Sequence, residues 1–222
     1  MSKISVEVVV ARYKEDVSWL DTSEWPAVIY DKGGDLVASG DSRAVGLPNV
    51  GREAHTYFTH ILERYPDFPD YTIFLQGDPF FHTQDLSAEQ LFELADGKIL
   101  RNIKFFGFAW FKIRCDQLGR PHDMHDPAKE GKWKGWGKDI PVGEIFEKLF
   151  KRPSPEKFIA NAPTGNFIVA KERILTRPRS FYENALGLVM ADQDDENNTG
   201  HAFERLWQIV FNGSASINPP EE

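Results

Sequence analysis

Four short clusters bring together acids, cations and a histidine in spacings that chemistry can use. The run Thr72-Ile73-Phe74-Leu75 ends in Gln76-Gly77-Asp78-Pro79. An apolar strand of this kind carries its polar residues to its carboxyl tip, where open α/β sheets place ligands. A carboxylate there, beside a flexible glycine, can hold a divalent cation that bridges diphosphate oxygens, with water completing the shell. The alternative is a plain turn opened by Asp78-Pro79. After an earlier apolar run, Arg12-Tyr13-Lys14-Glu15-Asp16 offers a ring, two cations and two acids, which suits a base and a ribose and equally suits a helix start. Asn49-Val50-Gly51-Arg52-Glu53 puts backbone amides, a glycine and a guanidinium at a helix N-terminus, a setting for phosphate or for ordinary capping. Near the end, His201 and Glu204 share one helical face with Arg205 and Gln208. That face is either solvated or a site in which His201 binds metal and Glu204 acts as a general base.

Two further groups sit in the stretch from Arg114 to Asp139, too long for a simple connector. His122-Asp123-Met124-His125-Asp126 is a candidate metallohydrolase cluster, although it lacks the separated ligand pairs of a zinc signature. Trp133 and Trp136, interleaved with Lys132, Lys134 and Lys138, could stack on a sugar or cover phosphate, or simply anchor the loop.

The elements that must position these residues alternate in type. Ile4–Ala11 and Ala27–Tyr30 read as strands, the second ending at the turn Asp31-Lys32-Gly33-Gly34. Ala54, Tyr57, Phe58, Ile61, Leu62 and Tyr65 recur at helical spacing, giving a helix over 52–65 stopped by Pro66. Ser87-Ala88-Glu89-Gln90 is a capping box opening a short helix ended by Gly97. Residues 104–113 read as one buried aromatic strand, 141–151 and 155–160 as helices, the second capped by Ser154, and 165–170 as a strand. A last helix spans about 200–211, and 212–222 reads as a flexible tail. The expected fold class is α/β, with a mostly parallel central sheet flanked by helices.

With 41% hydrophobic residues, a chain of 222 residues can bury one large core, so a single domain over 1–211 is expected. A net charge of −8 offers no overall basic field, which argues against nucleic acid as a partner. One cysteine, Cys115, cannot form an internal disulfide, and the first apolar run is interrupted by Glu7, so a cytoplasmic protein without signal peptide or transmembrane segment is expected.

The blocks Val9-Val10-Ala11-Arg12-Tyr13-Lys14-Glu15-Asp16, Ile29-Tyr30-Asp31-Lys32-Gly33, Leu47-Pro48-Asn49-Val50-Gly51-Arg52-Glu53 and Phe74-Leu75-Gln76-Gly77-Asp78-Pro79 together resemble a GT-A glycosyltransferase-like family of bacterial and fungal proteins. That family is similar to the amino-terminal domain of the chlorella-virus capsid glycosyltransferase. The resemblance implies a GT-A-like domain with a nucleotide-binding half over about 1–80 and an acceptor half over about 81–211. It also implies a nucleotide-sugar donor, UDP-linked, a glycan or other hydroxyl-bearing acceptor, and Mn2+ or Mg2+ held at an Asp-X-Asp motif. That motif falls on Gln76-Gly77-Asp78, so only its last position is an aspartate. By the same resemblance Arg12, Tyr13, Glu15, Asp16, Asp31 and Lys32 serve the nucleotide, Gly51, Arg52, Gln76 and Gly77 the diphosphate, and Glu204 with His201 the catalytic step. A non-catalytic nucleotide-sugar or glycan-binding module is the alternative that the missing first aspartate keeps open.

Overall fold

A computed structural model describes residues 4–83, 86–96, 100, 103–120, 139–160 and 162–211. Its centre is a six-stranded mixed sheet in the order β3-β2-β1-β4-β8-β5. The strands are β1 (Val6–Arg12), β2 (Ala27–Asp31), β3 (Ala44–Gly46), β4 (Tyr71–Gln76), β5 (Phe105–Gly107) and β8 (Phe167–Ala170). Strands β3, β2, β1 and β4 are mutually parallel, while β8 runs antiparallel to both β4 and β5. The expected α/β class holds, and the parallel character is confined to the first four strands.

Both faces of this sheet are covered, which explains why β1 reads as a continuous apolar run rather than an alternating one. Val9, Phe74, Phe167 and Val169 point to one core, with Tyr57, Phe58, Tyr182, Phe203 and Trp207. Val8, Val10, Ile73, Leu75 and Ile168 point to the other, with Leu20, Leu91 and Phe92. The first core is closed by helices α2 (Arg52–Arg64), α4 (Val142–Phe150), α6 (Arg179–Ala191) and α7 (Thr199–Phe211). On the second face lie a 3-10 turn at Ser18–Thr22 and α3 (Ala88–Leu94), whose Ser87–Gln90 capping box forms as expected. Two further short helices, α1 (Asp35–Ser39) and α5 (Lys171–Ile174), are found among the described residues.

The structure corrects two sequence expectations. Residues 157–160 are not helical: β7 (Lys157–Ala160) pairs antiparallel with β6 (Ile113–Asp116) in a separate two-stranded sheet. Phe158 and Ala160 are buried while Lys157 is exposed, so a period of two overrides the Ser154-Pro155 helix-start signal, and Ser154 Oγ instead accepts from Gln117 Nε2 at 2.7 Å. The aromatic run 104–113 is likewise not one strand. β5 ends at Gly107, the chain leaves the sheet with Trp110 63% exposed, and β6 begins at Ile113. The stretch holding His122–Asp126, Trp133 and Trp136, together with the tail from 212, lies outside the described residues.

Candidate functional site

The order β3-β2-β1-β4 places a topological switch between β1 and β4, because the chain builds outward on one side of β1 and then returns to the other. Ligands of open α/β sheets bind at the carboxyl ends flanking such a point. A cavity of about 360 Å³ opens there. Its walls are the end of β1 (Ala11, Arg12, Tyr13, Glu15), Lys32 after β2, the start of α2 (Asn49, Arg52, Glu53) and the tip of β4 (Gln76, Gly77, Asp78). Sequence segments separated by tens of residues thus meet in one place.

The two sides of this cavity are organised differently. On the β1–β2 side, Arg12 is 5% exposed and spends its guanidinium on protein. Nη1 donates to Asp31 Oδ1 at 2.9 Å and to Asp35 Oδ1 at 2.8 Å, Nη2 to Asp35 Oδ2 at 2.8 Å, and Nε to the Glu15 carbonyl at 2.7 Å. Hydrogen bonding to Arg12 brings the Asp35 carboxyl down to about 2. Asp31 is fully enclosed and also accepts from the amides of Gly33, Leu36 and Val37, which caps α1. Arg12 and Asp31 are therefore the frame of this side of the cavity rather than its free surface. Tyr13, 46% exposed, and the exposed Glu15 stand at the rim, where Glu15 Oε2 accepts from the amides of Tyr13 (2.7 Å) and Lys14 (3.1 Å). Asp16 is turned to solvent, accepts from Ser18 and takes no part in the wall.

The tip of β4 is fixed from both flanks. Trp19 Nε1 donates to the Gly77 carbonyl at 3.0 Å, and Asn166, fully buried at the start of β8, accepts from the Gln76 amide at 2.8 Å and donates to Gln76 Oε1 at 3.3 Å. A Cβ on Gly77 would lie 2.6 Å from Glu15 Oε2, so the β1 loop closes tightly against this tip and the Glu15 carboxylate would have to shift for a larger residue. Asp78 is left exposed at the cavity, its Oδ1 accepting weakly from the Phe80 amide at 3.3 Å.

On the α2 side, Gly51 and Arg52 both adopt left-handed backbone (φ 58° and 50°), and the Gly51 amide donates to the Gln193 carbonyl at 2.6 Å. Lys32 braces this turn, with Nζ donating to the carbonyls of Val50 (2.6 Å) and Arg52. Burial lowers the Lys32 ammonium to about 8. Arg52 then spans outward: Nη2 donates to Glu204 Oε1 at 3.2 Å, and Nε lies 3.8 Å from Glu53 Oε2 and 3.9 Å from Asp195 Oδ2. His201 Nδ1 sits 2.8 Å from the other side of this cluster, at Asp195 Oδ2.

The polar stripe of α7 is thus not a solvated face. His201, Arg205 and Gln208 are each under 9% exposed and pack inward. Burial, and next to it the charge of Glu53, pushes the Glu204 carboxyl up to about 8 despite Arg205 and Arg52. Glu204 and His201 stand behind Arg52 and do not line the cavity. On the α2 side the carboxylate at the wall is Glu53, only 7% exposed, which the sequence presented as one more acid of a helix first turn. Asp35 and Asp195 were also missed as parts of the site; each follows a turn, and Asp195 lies within the acidic run 192–196.

Among the described residues, no three His, Cys, Asp or Glu side chains gather to hold a metal ion by themselves. The donor set fits a hard cation only in the shared mode, with Asp78 giving one oxygen and a ligand's phosphates and water giving the others. No described helix is long and apolar enough to cross a membrane. No curated protein and no solved structure matches the chain. A family model does match, over residues 8–222, and the chain belongs to that family, DUF3431, described as protein of unknown function.

Proposed function

We propose that this protein is a metal-assisted glycosyltransferase of GT-A-like fold, which moves a sugar from a UDP-type nucleotide-sugar to a hydroxyl-bearing acceptor such as a glycan. The observation that carries the reading is the wall of the switch-point cavity, where Asp78, Arg52, Lys32, Glu15 and Glu53 converge. With Arg12 counted, its formal charges cancel, and all three of its cations, Arg12, Lys32 and Arg52, are already bound to protein oxygens. A diphosphate entering such a wall needs a companion cation, and Asp78 offers the exposed carboxylate to share it.

In this reading Tyr13 presents its ring to the base, while the Arg12–Asp31–Asp35 frame fixes the loop that carries it. The backbone of Gln76-Gly77, clamped by Trp19 and Asn166, holds Asp78 in place toward the diphosphate. Arg52 faces the phosphates as the second positive charge and is oriented by Glu204, itself buried against Arg205. Bound Mn2+ or Mg2+ would neutralise charge developing on the nucleoside-diphosphate leaving group. A buried free thiol, Cys115, fits the cytoplasmic setting assumed here.

One observation favours the binding-module alternative: the first position of the Asp-X-Asp motif is the amide Gln76, and its side chain is engaged by Asn166. A single experiment separates the two. Release of nucleoside diphosphate is measured over UDP-, GDP- and dTDP-sugars, with manganese or with chelator, for the parent and Asp78→Asn. Manganese-dependent release from one donor, lost in the variant, is the expected result; binding without turnover in any arm would leave a nucleotide-sugar-binding module.

A further inference from the structure

We infer that Glu53 is the residue that reads the sugar: its Oε1 accepts a hydrogen bond from a hydroxyl of the donor's transferred ring. This inference rests on the donor-site reading and deepens it. Glu53 is more than nine-tenths buried, yet it lines the cavity, and Oε1 has no hydrogen-bond partner in the protein. A buried carboxylate oxygen left without a donor is costly, so the site is incomplete until something supplies one.

The surroundings decide what that donor is. Arg52 Nε faces the other oxygen of Glu53, Oε2, at 3.8 Å, and Lys32 is held by the carbonyls on either side of Gly51. With these two cations beside it, and no set of three metal-ligating side chains among the described residues, a bare metal ion gains little at Oε1. Gly165, at φ 69°, faces the Glu53 side chain so closely that a Cβ there would lie 3.0 Å from Glu53 Cγ. Backbone, not a side chain, therefore fills that flank. Glu53 lies on the α2 side of the cavity, across from Tyr13 and the Arg12–Asp31 frame that the donor-site reading gives to base and ribose, so a hydroxyl arriving at Oε1 belongs to the transferred ring.

The test uses manganese with UDP and with UDP-glucose and UDP-galactose as probes, titrated calorimetrically into the full chain. Parent, Glu53→Gln and Glu53→Leu are compared, with thermal unfolding as a check that each variant folds. The inference expects UDP to bind all three equally. It expects at least one UDP-sugar to bind about tenfold more weakly to Glu53→Gln, and still more weakly to Glu53→Leu, in keeping with loss of a charge-assisted bond. If Glu53→Leu does not fold, Glu53→Gln alone decides. Unchanged UDP-sugar binding in Glu53→Gln overturns the role of Glu53 and leaves the donor site standing. An equal loss for UDP and UDP-sugar also overturns it, since Glu53 would then serve the nucleotide or the cation. A parent that binds neither UDP nor any UDP-sugar overturns the donor site and this inference with it.

Discussion

Arg52 Nη2 and Glu204 Oε1 stand 3.2 Å apart although 152 positions separate them in the chain. The contact ties the first turn of α2 to α7 and fixes one of the cations of the cavity wall.

Glu204 titrates far from the ordinary 4.5 because burial and Glu53 disfavour its charge more than Arg205 and Arg52 favour it. An acid whose folded pKa is raised binds more protons folded than unfolded. Its contribution is complete below about 4.5 and is lost as pH rises toward about 8. Glu204→Gln should therefore remove a pH-dependent loss: relative to the parent, the variant gains on the order of 3 kcal/mol between pH 5.5 and 8.5. Urea denaturation at the two pH values measures it, and a parent–variant difference that stays constant refutes the assignment.

Arg12→Ala is expected to act through stability. Removing the guanidinium leaves Asp31 enclosed with its charge unpaired, at a cost of about 3 kcal/mol. Chemical denaturation reads this directly. Asp16→Ala, on the solvent side of the same segment, should change stability by less than about 0.5 kcal/mol.

Two adjacent glycines should respond for different reasons. A Cβ at Gly33 would meet the Tyr13 carbonyl oxygen at 1.7 Å, so Gly33→Ala forces the β1 and β2 loops apart and should cost more than about 3 kcal/mol. Gly34 has nothing within 4 Å and only a left-handed φ of 77°, so Gly34→Ala should cost about 1 kcal/mol. Thermal melts of the two variants rank them.

Cys115 is fully buried in β6, and burial raises its thiol to about 11. It should be inert to a thiol-specific reagent at pH 8 in the folded protein and should react at once in denaturant. Labelling of the native chain at the rate of a free thiol would show that the two-stranded sheet opens.

β1, β2, β4 and α2 were legible because their residues carry strong periods. The β-branched run of β1 and the apolar spacing of α2 leave little choice, and the strand tips could be read as ligand-facing from there. β3 and α1 escaped because five residues or fewer carry no period, and α6 because its apolar positions follow no clean stripe. β7 was misread because Ser154-Pro155 is a local helix signal, whereas the pairing with β6 is a long-range fact. Within the site, Arg12 and Asp31 were found but not their partnership, since charge complementarity between β1 and β2 appears only when Arg12 and Asp31 are brought into register. Glu53 looked like a helix-favouring acid; only its burial against Gly165 distinguishes it.

Because β8 runs backwards against β4, its first residue returns to the rim that β4 has just left, and the Gln76–Asn166 amide pair closes the ring. Between these two feet, pinned beside the cavity, the chain adds β5 to the sheet and β6, α4 and β7 beside it. The entropy of closing a connection between such elements grows only with the logarithm of its length. Insertions or deletions far out along it can reshape what arrives at the mouth of the cavity at little cost to the sheet, so recognition of a second molecule can diverge while the strand tips stay where they are.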